Sequence, residues 1–116
     1  MGITTSGQSL KESMARGKQI YKNECIACHM ENGEGLTGAF PPLANSDYFK
    51  EDISKAVDVI LNGLEGEVVV NGVTYFGVMD PVPLSDQEVA DVLNYIRNSW
   101  GGKEKELTLV DIQKMK

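Results

Sequence analysis

The pentapeptide Cys25-Ile26-Ala27-Cys28-His29 is the stretch on which the fold prediction depends. It contains both cysteines and the single histidine of a chain of 116 residues. A chain of this length corresponds to one domain, and a small domain buries a core of only modest size. Aromatic residues make up 7% of the chain, so a large apolar cofactor would usefully supply part of that core.

The spacing Cys-x-x-Cys-His is typical of c-type haem attachment. In that chemistry each thiol adds across one haem vinyl group to form a thioether, and the following histidine ligates the iron from one face. Three other interpretations compete with it: a thioredoxin-like redox pair, half of a zinc site, and a small-ring disulfide. A helical pattern precedes the motif and a glycine-rich segment follows it, unlike the strand–helix setting of a redox pair. Because no further cysteine or histidine could complete a zinc site, haem attachment through Cys25, Cys28 and His29 is the favoured interpretation.

An iron bound only by His29 is five-coordinate or takes a second axial ligand. The candidates for that ligand are the five methionines, because the chain has no second histidine. Two of them lie at the termini, one adjoins His29 on the same side of the ring, and one belongs to a helical packing face; these are Met1, Met115, Met30 and Met14. The remaining candidate is Met79, which lies between Gly77 and Pro81 in what we expect to be irregular chain. A His/Met pair raises the reduction potential and blocks access of small molecules to iron, which suits electron transfer. The alternative is an open site, with Met79 merely packed, acting as a peroxidase or gas binder.

Hydrophobic periodicity predicts three main helices, over about residues 9–25, 52–62 and 85–99. The third has the clearest start, because Ser85 and Glu88 form a capping box. A short last helix is predicted after Thr108.

Glycine and proline predict the irregular segments, which are residues 31–46 and 77–84. Between them, Asn71-Gly72 is flanked by β-branched residues, the strongest short signal for a hairpin. We expect a small two-stranded excursion over about residues 68–75.

The formal net charge of −6 argues against binding to nucleic acid and against docking on an anionic membrane. The negative charge is consistent with a partner that has a basic rim. It is equally consistent with a charge whose only effect is solubility. No apolar run is long enough to span a bilayer, and no secretory signal follows Met1.

Two further stretches carry a resemblance: Gly17-Lys18-Gln19-Ile20-Tyr21 and Phe40-Pro41-Pro42-Leu43. From residue 10 to residue 100 the chain resembles a bacterial class I cytochrome c. The resemblance implies that Gly17 lets the last helix cross closely, with Tyr21 packing against Tyr95. It also implies that the carbonyl of Pro41 accepts the His29 Nδ1–H, and that Leu43 packs on the haem.

Residues 59–64, the turn at 70–72 and residues 98–101 are similar to one subgroup of that family. The subgroup includes cytochrome domains associated with copper nitrite reductases, oxidases and dehydrogenases. Its members usually have Met-Pro at the second axial ligand, whereas this chain has Met79-Asp80-Pro81. We expect Asp80 to place a carboxylate near the haem edge and to lower the reduction potential by favouring ferric iron.

The resemblance implies an all-α fold, the class I cytochrome c fold, with three main helices around one haem and a small β-hairpin. Residues 1–9 would be a flexible segment, residues 10–102 the cytochrome c domain, and residues 103–116 a C-terminal extension with a possible short helix. The implied function is that of a one-electron carrier, not an enzyme, with one covalent haem c held between His29 and Met79. Redox proteins would dock transiently at the haem edge. The implied compartment is periplasmic or extracytoplasmic, with the signal already removed, and the chain is expected to be a monomer or a domain of a larger redox enzyme.

Overall fold

The computed structural model describes residues 6–50 and 52–116. The helices are α1 Ser6–Glu24, α2 Ile26–His29, α3 Asp47–Lys50, α4 Ser54–Asn62, α5 Asp86–Arg97 and α6 Leu109–Met115, and the strands are β1 Leu64–Val70 and β2 Val73–Met79. The three longest helices are the three predicted from periodicity. The described residues include no helix that combines the length and the apolar character needed to cross a membrane.

The frame of the fold is the crossing of α1 and α5 at Gly17. A Cβ atom built on Gly17 would lie 2.0 Å from the carbonyl oxygen of Asp91 and 2.9 Å from the Cβ of Tyr95. No larger residue fits without moving the helices apart. The ring of Tyr21 lies 5.5 Å from that of Tyr95, and the two pack at a tilt. The crossing implied by the resemblance is thus present.

Helix α5 supplies the centre of the core. Its capping box is present as predicted, with Ser85 accepting from the Glu88 amide and the Glu88 side chain accepting from the Ser85 amide. One face of the helix is buried, and the apolar residues on it are Val89, Val92, Leu93 and Ile96. Tyr21 from α1 and Val57 from α4 are each 1% exposed, so all three main helices meet in one core.

A buried polar network ties the crossing to the C-terminal segment. Asp91 is 2% exposed and accepts hydrogen bonds from Ser13 at 2.6 Å and from the Arg16 guanidinium at 2.8 and 3.0 Å. Asn94 is fully buried; its amide nitrogen donates to Ser13, and it exchanges two hydrogen bonds with the backbone of Leu107. Because every described polar atom here has a partner, burial carries no penalty of unmade hydrogen bonds.

The C-terminal residues 103–116 join the same core rather than trailing from it. Leu107 and Ile112 are 8% and 0% exposed, and both belong to the hydrophobic cluster. The predicted short helix is α6, and Thr108 caps it by accepting from the Asp111 amide. These apolar side chains explain why the segment folds back onto α4 and α5.

Two boundaries and one short helix differ from the sequence prediction. Helix α1 begins at Ser6, so residues 6–9 are helical where a flexible segment was predicted; residues 1–5 lie outside the described part. Residues 47–50 form the short helix α3, which was not predicted. The hairpin runs from Leu64 to Met79 in place of the predicted 68–75, and so includes Gly66 and Gly77.

The last difference corrects the assignment of Met79 to irregular chain, since this residue ends β2 and pairs with Leu64. Glycine was taken as a loop signal at position 77. Gly66 and Gly77 instead pair with each other, and backbone hydrogen bonding between strands requires no side chain.

Candidate functional site

The Cys-x-x-Cys-His motif lies on one helical turn. The Cys25 amide still donates to the Tyr21 carbonyl at 2.9 Å, and the His29 amide donates to the Cys25 carbonyl at 3.0 Å. Positions i, i+3 and i+4 of a helix share one face. Cys25, Cys28 and His29 therefore point their reactive groups toward the same side of α2, where they line one cavity.

His29 is held in one tautomer by its surroundings. Its Nδ1 lies 2.8 Å from the carbonyl oxygen of Pro41, which can only accept, so Nδ1 carries the proton and Nε2 keeps a free lone pair. Burial lowers the pKa of His29, and the hydrogen bond to Pro41 only partly opposes this. The ring is a neutral, oriented imidazole, the form in which histidine ligates a metal.

Gly35 brings Pro41 to its position beside the histidine. Its φ is +65°, and a Cβ atom there would lie 2.3 Å from the Phe40 carbonyl oxygen and 2.8 Å from the Pro41 carbonyl group. The Gly35 amide also donates to the His29 carbonyl at 3.0 Å. The glycine thus allows two backbone segments to touch around the imidazole. The role of Gly35 was missed because the sequence shows only a glycine-rich loop, with no sign of which glycine is crowded.

Gly33 holds the other end of the same loop. Its carbonyl accepts from the amides of Leu43 and Ala44 at 2.7 and 2.9 Å. A Cβ atom on Gly33 would lie 2.5 Å from the indole ring of Trp100, which covers it. The contact fixes where the loop delivers Leu43 to the cavity, a second positioning role that the sequence did not disclose.

One cavity of about 500 Å³ brings together every predicted site residue. Its lining includes Cys25, Cys28, His29, Pro41, Leu43 and Met79. Volumes of roughly 300–1,000 Å³ are usual for cofactor sites. Most of the remaining lining is aliphatic, including Val59, Ile60, Val92, Leu93 and Ile96. The sequence prediction therefore named residues that are distant along the chain and adjacent in space.

Met79 reaches the cavity from the hairpin, and so from a different element than His29. Of the methionines in residues 6–50 and 52–116, only Met79 lines the cavity. Its backbone is held close to the end of α4, because a Cβ atom on Gly63 would lie 2.7 Å from the Met79 carbonyl oxygen. The chain after it is also anchored, since the Val82 amide donates to the Ile60 carbonyl at 2.7 Å. Asp80, next to Met79, is exposed and also borders the cavity.

Two glycines leave one wall of the cavity without side chains. Gly66 and Gly77 face each other across the hairpin, both line the cavity, and a Cβ atom on either would meet no atom within 4 Å. Their φ values are +101° and +142°, which disfavour any L residue. The space left at these two glycines, in the same cavity as the Cys-x-x-Cys-His turn, fits a flat, bulky group such as a porphyrin.

The cysteines fit thioether attachment better than the competing chemistries. Both thiols are free, with Cys25 partly buried and Cys28 exposed. Burial, with a smaller contribution from Glu24, raises the pKa of Cys25 to about 11, whereas reactive redox cysteines have lowered values. Within the described ranges, no three side chains among His, Cys, Asp and Glu are grouped to hold a metal ion by themselves, which weighs against a zinc site.

Comparison with known proteins gives consistent matches. A family model described as cytochrome c matches residues 14–100. The chain is 41% identical over 100 residues to cytochrome c-552 of Thermus thermophilus, a match covering 80% of this chain and 66% of that protein. It is 36% identical over 105 residues to the cytochrome c subunit of a quinone alcohol dehydrogenase from Gluconacetobacter polyoxogenes, covering 86% of this chain and 22% of that subunit. A gluconate 2-dehydrogenase cytochrome c subunit from Pantoea cypripedii is 30% identical over 108 residues, a match covering 86% of this chain and 24% of that subunit.

Proposed function

The chain belongs to the cytochrome c family and carries one covalently bound haem c, and we propose that it is a one-electron carrier with His29 and Met79 as the axial ligands of the iron. Its fold is the class I cytochrome c fold expected from the sequence. The observation that carries the proposal is the convergence of Cys25, Cys28, His29 and Met79 on one cavity.

Each of these residues has a separate task in the proposal. Cys25 and Cys28 would hold the porphyrin through thioether bonds, and His29 would bind the iron through Nε2. The hydrogen bond of Nδ1 to Pro41 keeps the imidazole oriented and increases its basicity. Met79 would supply a thioether sulfur as the second ligand, and such a ligand raises the reduction potential. The bound haem iron supplies the one-electron Fe(III)/Fe(II) couple.

The surroundings of the cavity favour electron transfer over catalysis. The mainly aliphatic lining disfavours water beside a bound haem, and both proposed ligands belong to anchored backbone, so little rearrangement would accompany a change of charge. With both His29 and Met79 as ligands, the iron would have no position left for a substrate. We therefore propose that the chain is not itself an enzyme.

The relatives suggest where such a carrier works. Two of them are named as cytochrome c subunits of dehydrogenases, and this chain spans less than a quarter of the length of each. We propose that the chain is extracytoplasmic and exchanges electrons with redox proteins that dock transiently, dehydrogenases among the donors. Redox encounters of this kind use small interfaces. The proposal includes a monomeric state.

Substitution of Met79 tests the ligand assignment on the purified haem protein. In the wild type we expect a ferric spectrum with the Met–iron charge-transfer band in the far red. Met79→Ala should lose this band, bind cyanide at once, and have a lower reduction potential. Met14→Leu, a change in a methionine of α1 that does not line the cavity, is the matched control and should keep the band.

Two results would contradict the proposal. A wild-type ferric protein that is high-spin and binds cyanide immediately would indicate an open site. A band that survives Met79→Ala would exclude Met79 as a ligand. Haem staining after denaturing electrophoresis tests the thioether attachment separately.

A further inference from the structure

The β1–β2 hairpin has two faces of opposite character. Strand residues alternate between faces, so the register separates them. The face turned away from the core, called here the outer face, consists of Glu65, Glu67, Val69, Thr74, Phe76 and Val78, all exposed. The inner face carries the buried Val70 and Tyr75 and the partly buried Met79. The alternation thus places six exposed side chains on one face of the hairpin and the more buried side chains on the other, and residues of both faces border the cavity.

The outer face is more apolar than a solvent-facing surface needs to be. Phe76 is 69% exposed, Val78 is 71% exposed and Val69 is 52% exposed. Single exposed apolar residues are ordinary, but three on one face of a two-stranded sheet form a patch. Aromatic residues are also enriched in the centres of protein interfaces. The patch is therefore suited to contact with another protein.

The charges on the outer face restrict which protein that is. Glu65 is paired directly opposite Val78, and Glu67 directly opposite Phe76, and this face has no basic residue. A symmetric contact with a second copy would bring these glutamates near their own counterparts. An anionic membrane would be repelled in the same way, and the chain as a whole carries −6. The complementary surface is an apolar patch bordered by lysine and arginine side chains.

The outer face is also centred on the thinnest part of the cavity wall. Gly77 lies between Phe76 and Val78, and its partner Gly66 lies between Glu65 and Glu67. Both glycines line the cavity and have no side chain, so only backbone separates the patch from the cavity there. Phe76 and Val78 border the cavity as well. Because tunnelling rates fall steeply with distance, this wall is a short path for an electron.

We propose that the outer face of the hairpin is a docking surface for a redox protein with a lysine- and arginine-bordered apolar patch, and that the electron crosses at the Gly66–Gly77 pair. The inference rests on the proposed electron-carrier function. In the reaction a reduced partner loses one electron and the ferric chain gains it; no bond forms or breaks and no proton moves. Phe76 and Val78 would supply the apolar contact, and Glu65 and Glu67 the attraction to basic side chains.

The test uses the haem-loaded chain and, as probe, a basic blue-copper protein whose copper edge is apolar and ringed by lysines. The docking variant is Phe76→Thr/Val78→Thr. Its matched control is Leu109→Gln/Val110→Gln, which alters the exposed apolar pair on α6. Stopped-flow absorbance of the ferric chain mixed with the Cu(I) probe gives the bimolecular rate. Amide chemical shifts of the ferrous chain map binding to the same Cu(I) probe, because no electron can move when both centres are reduced.

We expect the docking variant to react at least about tenfold more slowly, as removal of an aromatic interface anchor implies, and the control to react as the wild type does. Glu65→Gln/Glu67→Gln should weaken the salt dependence of the rate, while Glu12→Gln on α1 should change it less. Shifts should concentrate on residues 64–79. Equal rates for the docking variant and its control would overturn the proposal, as would shifts confined to residues outside the hairpin. Binding of the chain to anionic vesicles as strong as its binding to the copper protein would also overturn it.

A failure of the underlying function would look different from a failure of the docking surface. The haem spectrum and the reduction potential are measured on every variant. If these are normal and only the docking predictions fail, the chain is still an electron carrier that docks elsewhere. If the wild type lacks the Met–iron band, the electron-carrier proposal itself fails.

Discussion

Substitution of Gly35 by alanine tests how closely the loop and the imidazole are fitted together. A Cβ atom at this position would lie 2.3 Å from the Phe40 carbonyl oxygen and 2.8 Å from the Pro41 carbonyl group. Both neighbours are backbone, so neither can rotate away. The loop has to shift, and Pro41 with it, which disturbs the 2.8 Å hydrogen bond to His29 Nδ1.

The loss of stability expected for Gly35→Ala has two parts, and a second glycine of the chain provides a control that separates them. Gly38 has φ +83°, close to the +65° of Gly35, but a Cβ atom on Gly38 would meet nothing within 4 Å. Both Gly→Ala changes therefore carry the left-handed backbone strain of about 1–2 kcal/mol, partly offset by a stiffer unfolded chain. Only Gly35→Ala adds overpacking, worth about 1–3 kcal/mol. We expect Gly35→Ala to lower the free energy of unfolding by about 2–4 kcal/mol, and Gly38→Ala by about 1 kcal/mol.

The assay is guanidinium unfolding of the two haem-loaded variants, followed by far-ultraviolet circular dichroism. A second measurement is the proton resonance of His29 Nδ1–H, which reports the hydrogen bond to Pro41 directly. That resonance should move in Gly35→Ala and stay in place in Gly38→Ala. Equal loss of stability in the two variants, with an unmoved resonance, would show that Gly35 has no positioning role.

Two further changes test other parts of the molecule. Asp91→Asn keeps the shape of a buried side chain but removes the charge facing Arg16. Because Arg16 is 55% exposed and water can solvate its charge, we expect the free energy of unfolding to fall by about 2–4 kcal/mol, less than for a fully buried pair. Breaking the exposed pair of Lys116 and Asp86 by Lys116→Met should lower it by less than about 1 kcal/mol. Denaturant titration of both variants checks this, and similar losses would contradict it. Asp80→Asn should raise the reduction potential, on the order of tens of millivolts, because an exposed carboxylate at the cavity favours ferric iron. Protein-film voltammetry measures the potential of Asp80→Asn, of the wild type and of the control Glu12→Gln. An unchanged or lower potential in Asp80→Asn would refute the role of Asp80.

The elements that follow local rules were predictable from the sequence. The capping box at Ser85 and the apolar stripe of α5 depend on residues within a few positions of one another, and both are present. The Cys-x-x-Cys-His motif is equally local, because one helical turn places its three reactive groups on one side. The family resemblance also predicted the roles of Gly17 and Pro41, which contact residues outside their own local segment.

The extent of the hairpin and the roles of the glycines depended on tertiary structure. Residues 77–79 contain a glycine and precede a proline, so local rules favour a loop, yet pairing with Leu64 to Gly66 makes them a strand. Likewise Gly33, Gly35 and Gly38 look alike in the sequence, and only at the first two would an added Cβ atom lie within 4 Å of another residue's atoms. A glycine shows along the chain that a side chain is missing. Only the packing of distant segments shows whether another residue occupies that space, or whether, as at Gly66 and Gly77, the space belongs to a cavity.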